Sequence, residues 1–184
     1  MKRITQVILL LTAFLISAIA SGCSGQTEQA NALVDEVNAI AAAIEPKLVQ
    51  ADQLLLQATD QLSQGKITEE VASLTQTQTI IDEILVDIES AKTKTDEAAA
   101  MDISDAYRSY LQTKSRSLEE ALNLNKTSRE ITVLLLADPA IENPDTLTRL
   151  AELEKIANEQ SVRLQAADDE ATRIAEENAD EIKD

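Results

Sequence analysis

The stretch LVDEVNAIAAAIEPKLVQADQLLLQATDQL, residues 33–62, decides the fold. Its residues Leu33, Val37, Ile40, Ile44, Leu48, Ala51, Leu55, Ala58 and Leu62 fall three or four apart throughout. That spacing lines them along one side of a helix, whereas a half-buried strand needs strict alternation. Pro46 lies between stripe positions and has no backbone N–H to donate. Because the stripe keeps its phase across Pro46, the reading is one kinked helix rather than two. Gly65 is placed to end this helix, and Thr68, followed by Glu69 and Glu70, to cap the next.

Working outward, a second stripe runs Val71, Leu74, Gln78, Ile81, Leu85 and Ile88, widened by Ile80 and Ile84, before the chain turns polar at Lys92 to Glu97. Neither glycine nor proline separates AAAM from DISDAY, so two readings stand: a new helix capped by Asp102 or Ser104, or one unbroken helix from Thr68 past Tyr110. The third segment uses Ile103, Tyr107, Leu111, Leu118 and Leu122, weakens around Asn123 to Ser128, and becomes densely apolar in ITVLLLA, residues 131–137. DPAIENP, residues 138–144, reads as a loop, with Asn143 and Pro144 as the start of the last helix. That helix carries Leu147, Leu150, Leu153, Ala157, Leu164, Ala167, Ala171 and Ile174, and fades into an acidic end whose last turns are expected to fray.

Four amphipathic segments joined by short turns predict an all-α, up-and-down antiparallel four-helix bundle over residues 31–184. A three-helix coiled-coil arrangement with one very long helix is the alternative. Composition agrees with long helices: aromatic residues are 2% of the chain, and beyond Gly25 the one glycine is Gly65.

The start of the chain has a different character. Lys2 and Arg3 precede an apolar run from Val7 to Ala20, followed by Ser21, Gly22 and the single cysteine, Cys23. A charged start, a short apolar core and a run of small residues make the pattern of a secretory signal. The apolar run, about fourteen residues, is shorter than the roughly twenty needed to cross a bilayer. Ala20, Ser21, Gly22 and Cys23 resemble the lipobox of bacterial lipoproteins, although Ala20 stands where leucine is commonest. The resemblance covers only residues 1–25. It implies cleavage between Gly22 and Cys23, removal of residues 1–22, acylation of Cys23, and a lipidated start with a short linker over residues 23–30. It also implies an extracytoplasmic protein held to the cell membrane, or to the outer membrane of a two-membrane host, with which Ser24 is compatible. Two or three acyl chains anchor stably where one does so only marginally.

Charge and composition exclude several function classes. The formal charge is −17, and two units more negative, −19, once the segment bearing Lys2 and Arg3 is set aside. Nucleic acid is not an expected partner, since its binding rests on Lys and Arg neutralising phosphates. There is no histidine, which removes Ser-His-Asp chemistry and the Glu-x-x-His di-iron site of some bundles. One cysteine allows neither an intramolecular disulfide nor a cysteine zinc site. An EF-hand registered on Gly65 puts Leu62 and Val71 where oxygen ligands belong. Ser63 and Lys66 match SxxK, but the companion SDN and KTG motifs are absent. Asp168, Asp169, Glu170, Glu176 and Glu177 read as a solvated helix face. No cofactor, no metal and no catalytic set is expected.

Two places are candidate partner contacts. Tyr107 and Tyr110 are neighbours on one helix face, and tyrosine is favoured at interfaces. Val133, Leu134, Leu135 and Leu136 cannot all point into one stripe, so they either cap the bundle or present an apolar patch. The expected function is a non-enzymatic binding or structural module at the cell envelope, tethered to the lipid bilayer through Cys23, with an envelope protein or a second copy of the chain as partner. The alternative is a small-ligand-binding lipoprotein serving a transporter, with small residues such as Ala51, Ala58, Ala157, Ala167 and Ala171 leaving room between helices.

Overall fold

The computed structural model describes residues 25–183, and four long helices account for most of them. They are α1 (Gly25–Ser63), α2 (Ile67–Ala99), α3 (Asp105–Ala137) and α4 (Pro144–Glu177), followed by a short α5 (Ala179–Lys183). Helices consecutive in sequence pack against each other, α1 on α2, α2 on α3 and α3 on α4. Cross-helix bonds fix the antiparallel sense, because one number rises as the other falls. Glu36 pairs with Lys94 and Lys47 with Asp87, Asp96 accepts from Ser115 and Asp82 from Arg129, and Glu120 pairs with Arg163 and Glu130 with Arg149. The fold is an all-α four-helix bundle.

A single repeat organises it. The buried centre of α2 runs 70, 74, 77, 81, 84, 88, 91, 95 and 98; that of α3 runs 107, 111, 114, 118, 121, 125, 128, 132 and 135; that of α4 runs 146, 150, 153, 157, 160, 164, 167, 171 and 174. In α1 the same alternation of four and three joins Ala30, Val34, Val37, Ile44, Ala51, Leu55 and Ala58, through half-buried Ala41 and Leu48. Two residues in every seven is the coiled-coil spacing, and holding such a seam against a neighbour winds the helices left-handed about one another. The inner helices α2 and α3, flanked on both sides, bury wider bands than α1, whose buried residues hardly leave the seam.

The turns follow from local chemistry. At the end of α1, Gly65 has φ +70°, Lys66 N donates to Gln61 O at 2.9 Å and Gly65 N to Leu62 O at 3.0 Å, the paired bonds of a Schellman cap. Thr68 does not cap α2; the helix already starts at Ile67, and Lys66 takes the cap position without a side-chain bond. Between α2 and α3 the chain breaks at 100–104, where Ser104 Oγ accepts from Tyr107 N at 3.1 Å. The Arg108 guanidinium braces this turn by donating to Met101 O and Ile103 O. Asn143 Oδ1 accepts from Asp145 N at 2.9 Å and Pro144 opens α4, as their sequence order predicts. Helix α1 passes through Pro46 as one element.

Three expectations change. Helix already occupies Gly25 onward, within the expected linker. The acidic end continues after Asn178 as α5, where Ile182 is 6% exposed and Glu181 O accepts from Ser104 Oγ, so the apolar side chain ties down turns expected to fray. Leu147 is 56% exposed because Thr146 takes the seam position.

Ile84 is fully buried while Val86, on the same helix, is 66% exposed. Ile84→Ala is therefore expected to cost about 2–5 kcal/mol in urea unfolding, and Val86→Ala to stay within about 0.5 kcal/mol.

Candidate interaction surfaces

Gly22 and Cys23, the expected cleavage and lipidation positions, lie outside the described residues. The first described residue, Gly25, opens α1 at the end of the bundle that carries the α2–α3 turn and α5.

Tyr107 and Tyr110 stand at this same end, but in the core, 5% and 7% exposed. Tyr107 Oη donates to Asn31 Oδ1 at 2.7 Å, joining α3 to α1. Burial, reinforced by the Asp35 charge, pushes the Tyr107 phenol up to about 12. Burial raises Tyr110 as well, helped by Tyr107 and the charge of Asp168. The pair is an internal fastening, and neither ring is offered to a partner.

Residues 133–136 divide around the helix. Leu135 is buried, Leu134 and Leu136 are half-buried, and Val133 is 41% exposed. Leu134, Leu136 and Ile141 pack on a second apolar cluster that includes Leu55, Leu74, Ile131 and Leu150, closing the end of the bundle away from Gly25. Asp138 pins the loop there: its carboxylate accepts from Glu142 N at 3.1 Å and Asn143 N at 3.0 Å. Hydrogen bonds from the Thr146 side chain and from Asn143 N hold this carboxyl below the usual range. Ile141 sits at φ +50°, an uncommon conformation for a β-branched residue, retained while its side chain covers the cluster. Ile67 and Leu147 are also exposed at this end, so the closed tip has an apolar rim.

A polar cluster inside the α3–α4 seam has no clear sequence signal. Lys114 Nζ lies 3.2 Å from Asp168 Oδ1, and Ser117 Oγ donates to the same oxygen at 2.7 Å. Ser117 is fully buried and Lys114 is 8% exposed. Asp168 thus leaves the solvated face assigned to the acidic run, whereas Asp169, Glu176 and Glu177 stay on it. A serine beside a lysine suggests nucleophilic chemistry, but this hydroxyl is closed off from solvent and donates to a carboxylate. On α2, Asp96 accepts from Lys92 and Ser115. Burial opposes its charge, and those two bonds still lower its pKa. Ser63 of the SxxK match donates to Asp60 O at 2.7 Å in an exposed turn. Ala51, Ala58, Ala157, Ala167 and Ala171 are all sealed in the seams, where small side chains permit close helix approach. A surface depression of about 640 Å³ lies along α4, lined among the described residues by positions 151–163 of that helix alone. No cluster of three acidic side chains suited to a metal ion occurs among the described residues.

No known protein family, curated protein or solved structure matches this chain.

Glu70 is the most deeply buried carboxyl among the described residues. It is 2% exposed at the start of the α2 seam, and its Oε2 has no hydrogen-bond partner. Burial raises its pKa, so the folded state holds this proton more tightly than the unfolded chain and the group's contribution to stability falls as pH rises through the folded value. Glu70→Gln, a neutral side chain of similar shape, is expected to raise the urea midpoint at pH 7, with the gain shrinking as pH is lowered towards 5. An equal gain at both pH values would show that the carboxyl is not charged at a cost in the fold.

Proposed function

We propose that the protein is a lipid-anchored, non-enzymatic helical module of a bacterial cell envelope, holding a binding surface at a fixed distance from the membrane. The observation that supports this reading is the short stretch of sequence between Cys23 and the start of the rod. Helix α1 is present from Gly25, two residues after Cys23, and continues for 39 residues, about 58 Å at 1.5 Å per residue. An acyl group on Cys23 would therefore fix one end of the bundle at the lipid surface and carry the other about 50 Å away.

The rest of the chain supports this arrangement. No helix among the described residues is long and apolar enough to cross a membrane. The strongly acidic surface is repelled by anionic headgroups, which favours a rod standing off the bilayer over one lying on it. The far tip, with exposed Ile67, Val133 and Leu147, is where an envelope protein would meet apolar surface. The buried polar groups of the seams are largely bonded within the bundle, in their own helix or, at Lys114 and Asp168, across to a neighbour, which is the behaviour of a scaffold.

Mass spectrometry of the native protein should show a chain beginning at Cys23 with diacylglyceryl on its sulfur, and Cys23→Ser should leave the membrane fraction with its helical circular dichroism intact. Cross-linking in native membranes should yield an adduct with an envelope protein that Val133→Glu with Leu147→Glu removes. An unmodified thiol, or membrane retention of Cys23→Ser, would overturn the anchoring.

A further inference from the structure

Helix α1 carries a second seam on its outer side. Ala39, Ala42, Pro46, Val49, Gln53 and Leu56 follow one another at gaps of three, four, three, four and three, and all six are exposed. Val49 is 54% and Leu56 48% exposed, although both are large and apolar. The adjacent row, Ala43, Gln50 and Gln57, is equally free of charge and equally exposed. In a chain of formal charge −17 these nine residues make a neutral strip over positions 39–57, about 28 Å long, with Glu45 on its flank and Asp35 and Asp60 beyond its ends. The other most exposed valines have no such setting: Val86 stands between Glu83 and Glu89, and Val162 is beside Arg163 and one turn from Glu159.

We propose that this strip pairs with the same strip of a second copy of the chain, the two α1 helices running parallel. Charge selects the occupant. A two-fold axis along the helices sets every residue against its own copy, which alanine, valine, glutamine and leucine tolerate and aspartate or glutamate does not. Two strongly acidic molecules can therefore meet along this face without opposing carboxylates. Geometry keeps the strip straight. The inner seam of α1 already holds the helix near 3.5 residues per turn, so an outer set at the same spacing stays in line instead of drifting about 20° per heptad. One helix face of this length covers less than the roughly 800 Å² per partner of a free-standing interface, so pairing depends on confinement of both copies to one surface. The parallel sense rests on the anchoring proposed above, which puts both Cys23 ends on the same membrane.

The test uses full-length chains in native membranes bearing Ala42→Cys, Val49→Cys or Leu56→Cys, with Val86→Cys and Val162→Cys as exposed controls, each treated with a short bis-maleimide. Parallel pairing gives a covalent dimer at all three α1 positions, several-fold above both controls, and Val49→Glu with Leu56→Glu in the Ala42→Cys chain removes it while helical circular dichroism is unchanged. Equal yields at all five positions, a dimer at Val49→Cys alone as an antiparallel crossing would give, or adducts to a different protein would each overturn the proposal. The wild-type chain separates this question from the anchoring. A dimer already formed there would expose a free thiol at Cys23 and count against lipidation, and the rank order at the five positions, read in concentrated Cys23→Ser chains, would still decide the seam.

Discussion

The seven-residue spacing of buried positions constrains everything else in the structure. An unstrained helix repeats every 3.6 residues, and a seam repeating every 3.5 faces its neighbour over a long distance only if the helices wind about each other. All four long helices keep this spacing for some thirty residues, so none can be straight while its neighbour supercoils. Close approach then becomes a property of the whole rod, and the many seam alanines, including Ala30, Ala91, Ala121, Ala157 and Ala171, are what allow it. With few aromatic side chains to fill a wide core, stability comes from the length of narrow contact.

Polar residues interrupt that contact at regular seam positions, and most are satisfied within their own helix. Thr77 Oγ1 donates to Ser73 O, Thr95 Oγ1 to Ala91 O, Asn125 Nδ2 to Ala121 O, Ser128 Oγ to Leu124 O and Thr132 Oγ1 to Ser128 O. Each is a bond to the carbonyl four residues back, so the side chain is buried without needing a partner across the seam. Such a bond contributes only about 1 kcal/mol net, but an unpaired buried group costs about 1–3 kcal/mol. Lys114 differs in reaching across to Asp168. A buried ion pair adds little net stability compared with apolar packing, yet shifting α4 by one step along α3 would strand both charges, so the pair fixes register. Surface pairs such as Lys47 with Asp87 contribute up to about 1 kcal/mol and reinforce a register already set by the core.

These internal bonds also explain which parts of the fold the sequence reveals. Gly65, Ser104, Asn143 and Pro144 act through their own backbone preferences or their nearest neighbours, and their roles are legible from residue type and position. The helices are legible because so many seam positions are apolar. The phase of the α2 stripe is not: reading apolar residues selects Val71, Gln78 and Leu85, whereas the centre passes through Glu70, Thr77 and Ile84 and leaves the other three half-buried. The apparent weakening at Asn123 to Ser128 has the same origin, since Asn125, Thr127 and Ser128 look like surface residues until their carbonyl partners are known. Asp168 is lost among neighbouring acids because only the packing of α3 against α4 singles it out, and Tyr107 and Tyr110 read as interface residues because burial is settled by helices remote in sequence.

Acidity couples this interior to the exterior. The sequence holds thirty-three acidic residues against sixteen basic ones, and this excess of like charge limits the places where the rod can touch another acidic surface. The acids are not evenly spread: between Glu45 and Asp60 the only charged residues of α1 are Lys47 and Asp52, on its half-buried flanks, and between Glu70 and Asp82 α2 carries none. Helix α3, bonded on one side to α2 and on the other to α4, has its charges engaged at Arg129 and Glu120. Helix α1 packs mainly on α2 and is left with an outer face that is neutral, regular and exposed. The repeat that orders the core thus also keeps that face aligned, and low charge together with regular spacing distinguishes it from the scattered exposed valines of α2 and α4.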